Sequence, residues 1–391
     1  MRPPDKLAFV IPSLTWGGAE LQLIKQIKLL KENGYDPHLI VLGDQLDLIK
    51  KADIDNSHLL LLGIGSGNYL NQSAIFRSFF ASWTIVRFLR RRKVKVVVGV
   101  LPFAHWVSRL TVIIGWFASY KIYLFQYHKS EQFRANPINT TAKKIYHTFN
   151  NVLAWLCDYG NIFISQAVFQ DISKKQFVRR PEIVFNFKEE KNVDDLAAKE
   201  YLQARNKSFK TLLLIPGRLH PVKGQLFFLN AAKDWLTPSR MGEEKILVVM
   251  AGGGLEEEKI KNLVAEQGIS DHVVITGFVE NDHLLSFMKL ADLVIIPSLY
   301  EGLGNVAIEA MMLKRKILSS DAGGLKEVLS DCNSAILFQA GNEIDFRCKF
   351  AYAMGSLSTF TPESGYALYK EKFTPQIHIR NLIHVLQSVD R

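Results

Sequence analysis

Residues 295–309 read IIPSLYEGLGNVAIE. An apolar run closes at Pro297, a short loop follows, and Gly302-Leu303-Gly304-Asn305 opens a helix-period segment reaching about residue 314. A buried strand running through a glycine loop into a helix is the repeating unit of parallel sheets covered on both faces. Backbone N–H groups and the positive dipole end at such a helix start suit a phosphate. Glu301 stands on the lip of the loop, and Glu309 lies a little over one turn into the helix. Carboxylates so placed can accept hydrogen bonds from the hydroxyls of a nucleotide sugar, one toward each end.

Outward from this junction the same alternation fills the chain. Strand-like runs are read at 7–12, 38–42, 94–100, 122–126, 162–165 and 182–185, with a Gly17-Gly18 turn and a helix at about 19–33. The second half repeats the scheme at 211–216, 245–251, 273–276, 293–297, 317–319 and 335–338. The expected fold class is α/β: two Rossmann-like, doubly wound parallel-sheet domains with an interdomain cleft. A charged, apolar-poor stretch, 188–210, marks the seam. The expected domains are 1–188 and 189–371, with a C-terminal helix at about 372–391 returning to the first. A chain of 391 residues, 48% apolar and 22% charged, is long enough for two such cores.

A second chemical segment is 215–225, IPGRLHPVKGQ. Here a strand ends at Pro216, Gly217 allows a tight turn, and Arg218 and Lys223 follow on the loop. A planar fork beside a flexible point charge suits a departing diphosphate. Gly252-Gly253-Gly254 also ends a strand, but Glu257 replaces the third glycine of a dinucleotide fingerprint, so a tight turn explains it. Asp53-Ile54-Asp55 sits in a polar stretch rather than at a strand end, and no cysteine or histidine spacing suggests zinc. No metal site is expected.

The net charge of +10 has an address. Between Asn56 and Ser130 there is no Asp or Glu, while Arg77, Arg87, Arg90, Arg91, Arg92, Lys93, Lys95, Arg109, Lys121 and Lys129 all fall there. Phe76, Phe79, Phe80, Trp83, Val86 and Leu89 make an aromatic and aliphatic stripe that ends among the arginines. Two readings stand side by side: a helix packing that stripe on its own sheet, and a helix lying on an anionic membrane. No nucleic-acid motif accompanies the charge. The three cysteines form no CxxC, the N-terminal run is too short for a secretory segment, and no stretch reaches a membrane span. The expectation is a cytoplasmic protein, peripheral at most on the inner face of the cytoplasmic membrane.

Taken in order, GGAE (17–20), GRLHPVKG (217–224), AGGG (251–254), TGFV (276–279), ADLVIIPSLYEGLGNVAIEA and SSDAGGLKEVL (319–329) resemble family 4 of the retaining glycosyltransferases, glycosyl transferases group 1, of GT-B fold. The resemblance is strong over 211–330 and weak over 40–120. It implies a metal-independent enzyme without a cofactor, moving a hexose-type sugar from a nucleotide-diphosphate sugar, a UDP-sugar ahead of a GDP-sugar. The implied acceptor is a hydroxyl of a glycan or a lipid-linked glycan, in bacterial surface polysaccharide synthesis. By resemblance Arg218 and Lys223 contact the diphosphate, Glu309 the ribose, and Glu301 the transferred sugar. Amides at Gly304, Asn305 and Val306 would cradle phosphate, with Phe278 and Val279 along the base and Gly17 and Gly18 on the N-terminal loop. His128 takes the place of a histidine beside the reacting sugar, although Lys129 stands where the family has an acid, and His105 is its rival. Asn186-Phe187 departs from the family's Asn-Gly, and no role is assigned to that asparagine. Two alternatives remain: a nucleotide-sugar epimerase or hydrolase of this fold, and a catalytically silent scaffold subunit.

Overall fold

The computed structural model describes residues 6–64, 72–116, 121–126, 140–359 and 361–387. The chain divides into two units, Met1–Asn186 with Pro375–Arg391, and Phe187–Thr374.

Unit 1 is built on a seven-stranded parallel sheet: β1 (Lys6–Ile11), β2 (Asp36–Val41), β3 (Leu59–Leu61), β4 (Val96–Val100), β5 (Lys121–Gln126), β6 (Asp158–Phe163) and β7 (Pro181–Ile183). Their order is β3-β2-β1-β4-β5-β6-β7. The central strands are apolar on both faces (KLAFVI, VVVGV), as strands covered twice by helices must be. Ala8, Val10, Ile40, Val97, Ile85, Leu89 and Val107 are all buried in one cluster. Each buried Val, Ile or Leu contributes about 1.5–3 kcal/mol.

The helix Gln72–Arg92 separates the two readings of the aromatic stripe. Ser78, Ala81, Ser82, Ile85, Val86 and Leu89 face the core, while Phe76, Phe79, Phe80 and Trp83 are 49–67% exposed. At 100° per residue the four aromatics centre on the face of Arg87 and Arg90, with Val86 at its edge and Leu89 on the far side. The aromatic stripe does not pack on the sheet. Arg109 leaves the basic surface as well. It is 2% exposed and gives two bonds to Asp158, 2.8 Å from Nε and 2.7 Å from Nη2, and one of 2.6 Å to Asn150.

The tail is two helices, Glu363–Lys372 and Pro375–Gln387, broken at Phe373-Thr374, and only the second belongs to unit 1. His378 anchors it. The buried ring donates from Nδ1 to the Phe185 carbonyl at 2.6 Å, leaving Nε2 to accept from the Gln26 amide at 2.9 Å. Burial pushes its pKa down to about 4, so the neutral ring that this pattern needs is the one present at pH 7.

Unit 2 carries a six-stranded parallel sheet: β8 (Thr211–Pro216), β9 (Ile246–Ala251), β10 (Val273–Ile275), β11 (Leu293–Ile296), β12 (Ile317–Ser320) and β13 (Ala335–Phe338). The order β10-β9-β8-β11-β12-β13 reverses direction between β8 and β11, which pair through Leu293↔Leu213 and Val294↔Leu214. Ligands of open parallel sheets lie beyond the carboxyl ends at such a reversal. The loops after β8 and β11 are the two chemical segments.

Candidate functional site

Close backbone approach holds the two loops together. Leu299 N–H donates to the Val222 carbonyl at 2.8 Å, and a Cβ on Gly224 would fall 2.0 Å from the Pro297 oxygen. Gln225 Nε2 donates to the Arg218 carbonyl at 3.1 Å, and Gly217 N–H to the Ala251 carbonyl at 2.9 Å. Gly252 packs against Gly217 in turn, where a Cβ would meet its carbonyl oxygen at 2.3 Å. The AGGG segment is therefore a close-packed turn that braces the loop after β8.

On this frame Lys223 Nζ lies 2.5 Å from Glu301 Oε2, both side chains largely buried. Gly324 N–H donates to the Glu301 carbonyl at 2.9 Å. Gly323, at φ 53°, leaves no room for a Cβ beside that carbonyl, so the AGG turn after β12 fixes Glu301 from behind. The helix Asn305–Met312 starts on Gly304 at φ 97° with no side-chain cap. Leu325 Cδ2 would lie 2.6 Å from a Cβ at Gly304, so both conformation and space demand glycine. Asn305 Oδ1 is buried there without a hydrogen-bond partner among the described residues. Glu309, 5% exposed, meets Lys188 Nζ at 2.6 Å. Lys188 is held in its turn, since its N–H donates to the Phe373 carbonyl at 3.0 Å and its carbonyl accepts from Tyr369 Oη–H at 2.9 Å.

The arrangement is two carboxylates, each neutralised by a lysine, flanking an uncapped helix start at the sheet's reversal point. Such a site can bind a polyhydroxylated anion: the helix start and a lysine take the phosphate, and the carboxylates take hydroxyls. Residues 199–355 match the profile of the family described as Glycosyl transferases group 1. They form a glycosyl transferases group 1 domain.

Curated relatives match part of the chain. Alpha-D-kanosaminyltransferase of Streptomyces kanamyceticus is 30% identical over 128 residues, 33% of this chain and 32% of that protein. The alignment thus spans about a third of the relative's length. Solved structures align with nearly the whole chain. HepE of Anabaena in complex with UDP superposes with a TM-score of 0.75 at 17% identity, covering 98% of this chain and all of that one. The lipopolysaccharide outer core galactosyltransferase WaaB gives 0.75 at 15%, covering 98% and 99%. At these identities the likeness speaks for the fold, which is GT-B with two Rossmann-like sheets.

Within the group 1 domain the structure brings Lys223, Glu301, Gly304 and Glu309 to one sheet edge. Arg218 is exposed on the same loop, with no side-chain bond among those described. Phe278 projects from the turn after β10, 87% exposed, and Val279 beside it is half-buried. In unit 1, Gly17 caps the helix Gly18–Glu32 and faces the buried Glu20 carboxylate, which comes 2.1 Å from a Cβ built at Gly17. His105 is 4% exposed in the helix Pro102–Ile114, which follows Leu101 at φ 75°. His128 lies outside the described residues. Asp53 ends a short turn at φ 44°, and Asp55 accepts from Ser57 N–H at 2.7 Å, so that pair serves local turn geometry. Two contributors have no role assigned from the sequence: Lys188, and Gly323-Gly324, quoted only as part of SSDAGGLKEVL. The lysine lies in the charged seam 121 residues from its partner, and no local pattern announces such a contact.

Proposed function

We propose that this chain is a retaining glycosyltransferase that moves a hexose-type sugar from a nucleotide-diphosphate sugar, a UDP-sugar first, to a hydroxyl of a glycan or lipid-linked acceptor. The observation that carries the proposal is the pairing of Lys223 with Glu301 and of Lys188 with Glu309 around the Gly304 helix start. When a donor binds, its diphosphate draws Lys223 from Glu301, and the released carboxylate turns to the sugar. Arg218 and the amides of Asn305 and Val306 complete the anionic site, and Glu309 accepts from the ribose while Lys188 holds it in place. As the glycosidic bond breaks, negative charge grows on the β-phosphate beside groups already oriented to receive it. That oxygen can also take the acceptor's proton, and the acceptor enters on the face the diphosphate leaves, so configuration is retained. No catalytic metal is required by this arrangement. HepE crystallised with UDP, which supports a uridine donor for a chain of the same fold.

A thermal-shift screen of the full chain against UDP-, GDP- and ADP-sugars tests the donor class. A ligand specific for the folded state raises the melting temperature with concentration. The expected result is a shift with a UDP-sugar that persists in EDTA. Slow release of free sugar, indifferent to any added acceptor, would favour an epimerase or hydrolase, and no shift with any nucleotide would favour a scaffold.

For the acceptor side we propose an anionic membrane surface, consistent with a lipid-linked substrate of a surface polymer. Among the described residues no helix is long and apolar enough to cross a membrane. Phe76, Phe79, Phe80 and Trp83 are exposed beside Arg87, Arg90 and Arg91, and Trp116, Phe149 and Trp155 are exposed on the segments that follow. Aromatic rings beside arginines match the headgroup boundary of an anionic leaflet. The protein is expected to sediment with phosphatidylglycerol vesicles at low salt and to be released at high salt, as exposed charges are screened within about 10 Å at 0.1 M. Replacing Arg87, Arg90 and Arg91 by Ser should abolish sedimentation. Absence of sedimentation at low salt would assign the basic face elsewhere.

A further inference from the structure

Strand register assembles a second polar cluster in unit 1. Asp36 and His38 are two apart on β2, so their side chains share one face of the sheet. β2 pairs with β3 in parallel through Leu39↔Leu59, which sets His38 beside His58. One ligand atom from each of Asp36, His38 and His58 lies within 4.8 Å of the others. We propose that Asp36, His38 and His58 hold a zinc-class divalent ion, with a fourth position open to water.

His38 is already committed in the sense such a site needs. His38 Nδ1 donates to the Asp36 carbonyl at 3.1 Å, which leaves Nε2 as the lone-pair nitrogen. His58 Nε2 donates to Asp36 Oδ1 at 2.7 Å and Nδ1 is 2.8 Å from Ser57 Oγ; an ion entering between ring and carboxylate would replace the Nε2 proton, with Nδ1–H then donating to Ser57. Histidine ligands ordinarily have their other nitrogen fixed in this way by a carbonyl or a polar side chain. His38 is 1% exposed and packs edge-on to Phe88 at 5.7 Å, whereas Asp36 and His58 are partly open to solvent. A buried anchor with two accessible partners gives an ion both an entry path and a rigid ligand. Two imidazoles and one carboxylate suit zinc and its first-row neighbours, not magnesium or calcium. Lys6 Nζ, 3.7 Å from Asp36 Oδ2, and Arg92, on the helix that supplies Phe88, are the cations an incoming ion must tolerate.

The site's place in the sheet indicates its work. Asp36 opens β2 and His58 immediately precedes β3, so the ion sits at the amino ends of the strands, away from the carboxyl edge where parallel sheets bind substrates. It would clamp β3, an edge strand of three residues, onto β2. This role is independent of the transferase reading, and its test needs no turnover.

Chelator-treated full-length protein titrated calorimetrically with Zn²⁺ is expected to bind one equivalent, and none of Mg²⁺. His58→Gln and Asp36→Asn, both at partly exposed positions, should each remove that binding while keeping the circular dichroism of the parent. Ser57→Ala keeps all three ligands and should weaken binding about 10-fold, the lower end of the usual loss when an outer hydrogen-bond partner is removed. Zinc binding unchanged in both His58→Gln and Asp36→Asn would place the ion elsewhere and overturn the proposal, as would no binding by the parent. Insensitivity to Ser57→Ala would reduce the cluster to a chance surface chelate, which also overturns it.

Discussion

Lys223→Ala is expected to lower transfer by roughly 10²–10³-fold at saturating donor, the usual cost of removing one group that stabilises developing charge. Arg218→Ala should fall in the same range, because the leaving diphosphate carries more charge than one cation can balance. The two differ in stability. Arg218 is exposed, so its loss should leave the melting temperature unchanged. Lys223 neutralises Glu301, whose side chain is only 11% exposed, and removing the lysine strands a carboxylate. A buried group left without its partner costs on the order of 1–3 kcal/mol, more when charged. Lys223→Ala should therefore melt earlier, and Lys223→Ala/Glu301→Gln should recover part of that loss without recovering turnover. Near-parental turnover in Arg218→Ala/Lys223→Ala, measured well below the melting temperature, would remove both residues from the diphosphate.

The two glutamates should fail in different ways. Glu309 is assigned to the ribose, a part of the donor that does not change during reaction. Glu309→Ala should weaken donor and free nucleoside diphosphate alike, and appear mainly in KM. Glu301 is assigned to the sugar at the reacting centre, where orientation matters more than grip. Glu301→Ala should keep nucleotide affinity and lose about 10²-fold or more in kcat, as expected when a reacting centre is misplaced. The ion pairs sharpen this contrast. Lys223 freed by Glu301→Ala can still grip the diphosphate, whereas Lys188 freed by Glu309→Ala stands where the ribose should be held. Binding is read by titration with the nucleoside diphosphate, and chemistry by transfer at saturating donor. The reverse pattern, nucleotide binding lost in Glu301→Ala and kept in Glu309→Ala, would turn the donor end for end.

Much of this site was legible before any coordinate, because its parts are local. A strand, a glycine-rich loop opening a helix and a carboxylate one turn into that helix are all encoded within residues 295–309. The parallel α/β fold was legible for the same reason, since strands buried on both faces are continuous apolar runs. What escaped depends on distant partners or on angle. Strand β3 is three leucines inside a longer apolar run and becomes a strand only by pairing with β2. Lys188 reads as one more charge in a charged stretch until Glu309 is set beside it. The cluster of Asp36, His38 and His58 exists only through a register. In the helix Gln72–Arg92 the apolar residues are plain in the sequence, but which face the core claims depends on Ala81 and Ile85 winning the sheet and leaving Phe80 and Trp83 outside.

The return of the final helix has a consequence for the order in which the chain is finished. Unit 2 is one uninterrupted piece of chain whose two ends, Lys188 and Phe373, are bonded to each other. Unit 1 emerges earlier for the most part, yet it waits for His378 to reach Gln26 and the carbonyl of Phe185. Domains usually complete in the order of synthesis. Here that order is interrupted, because unit 1 is complete only once the helix Pro375–Gln387, encoded after all of unit 2, has been made.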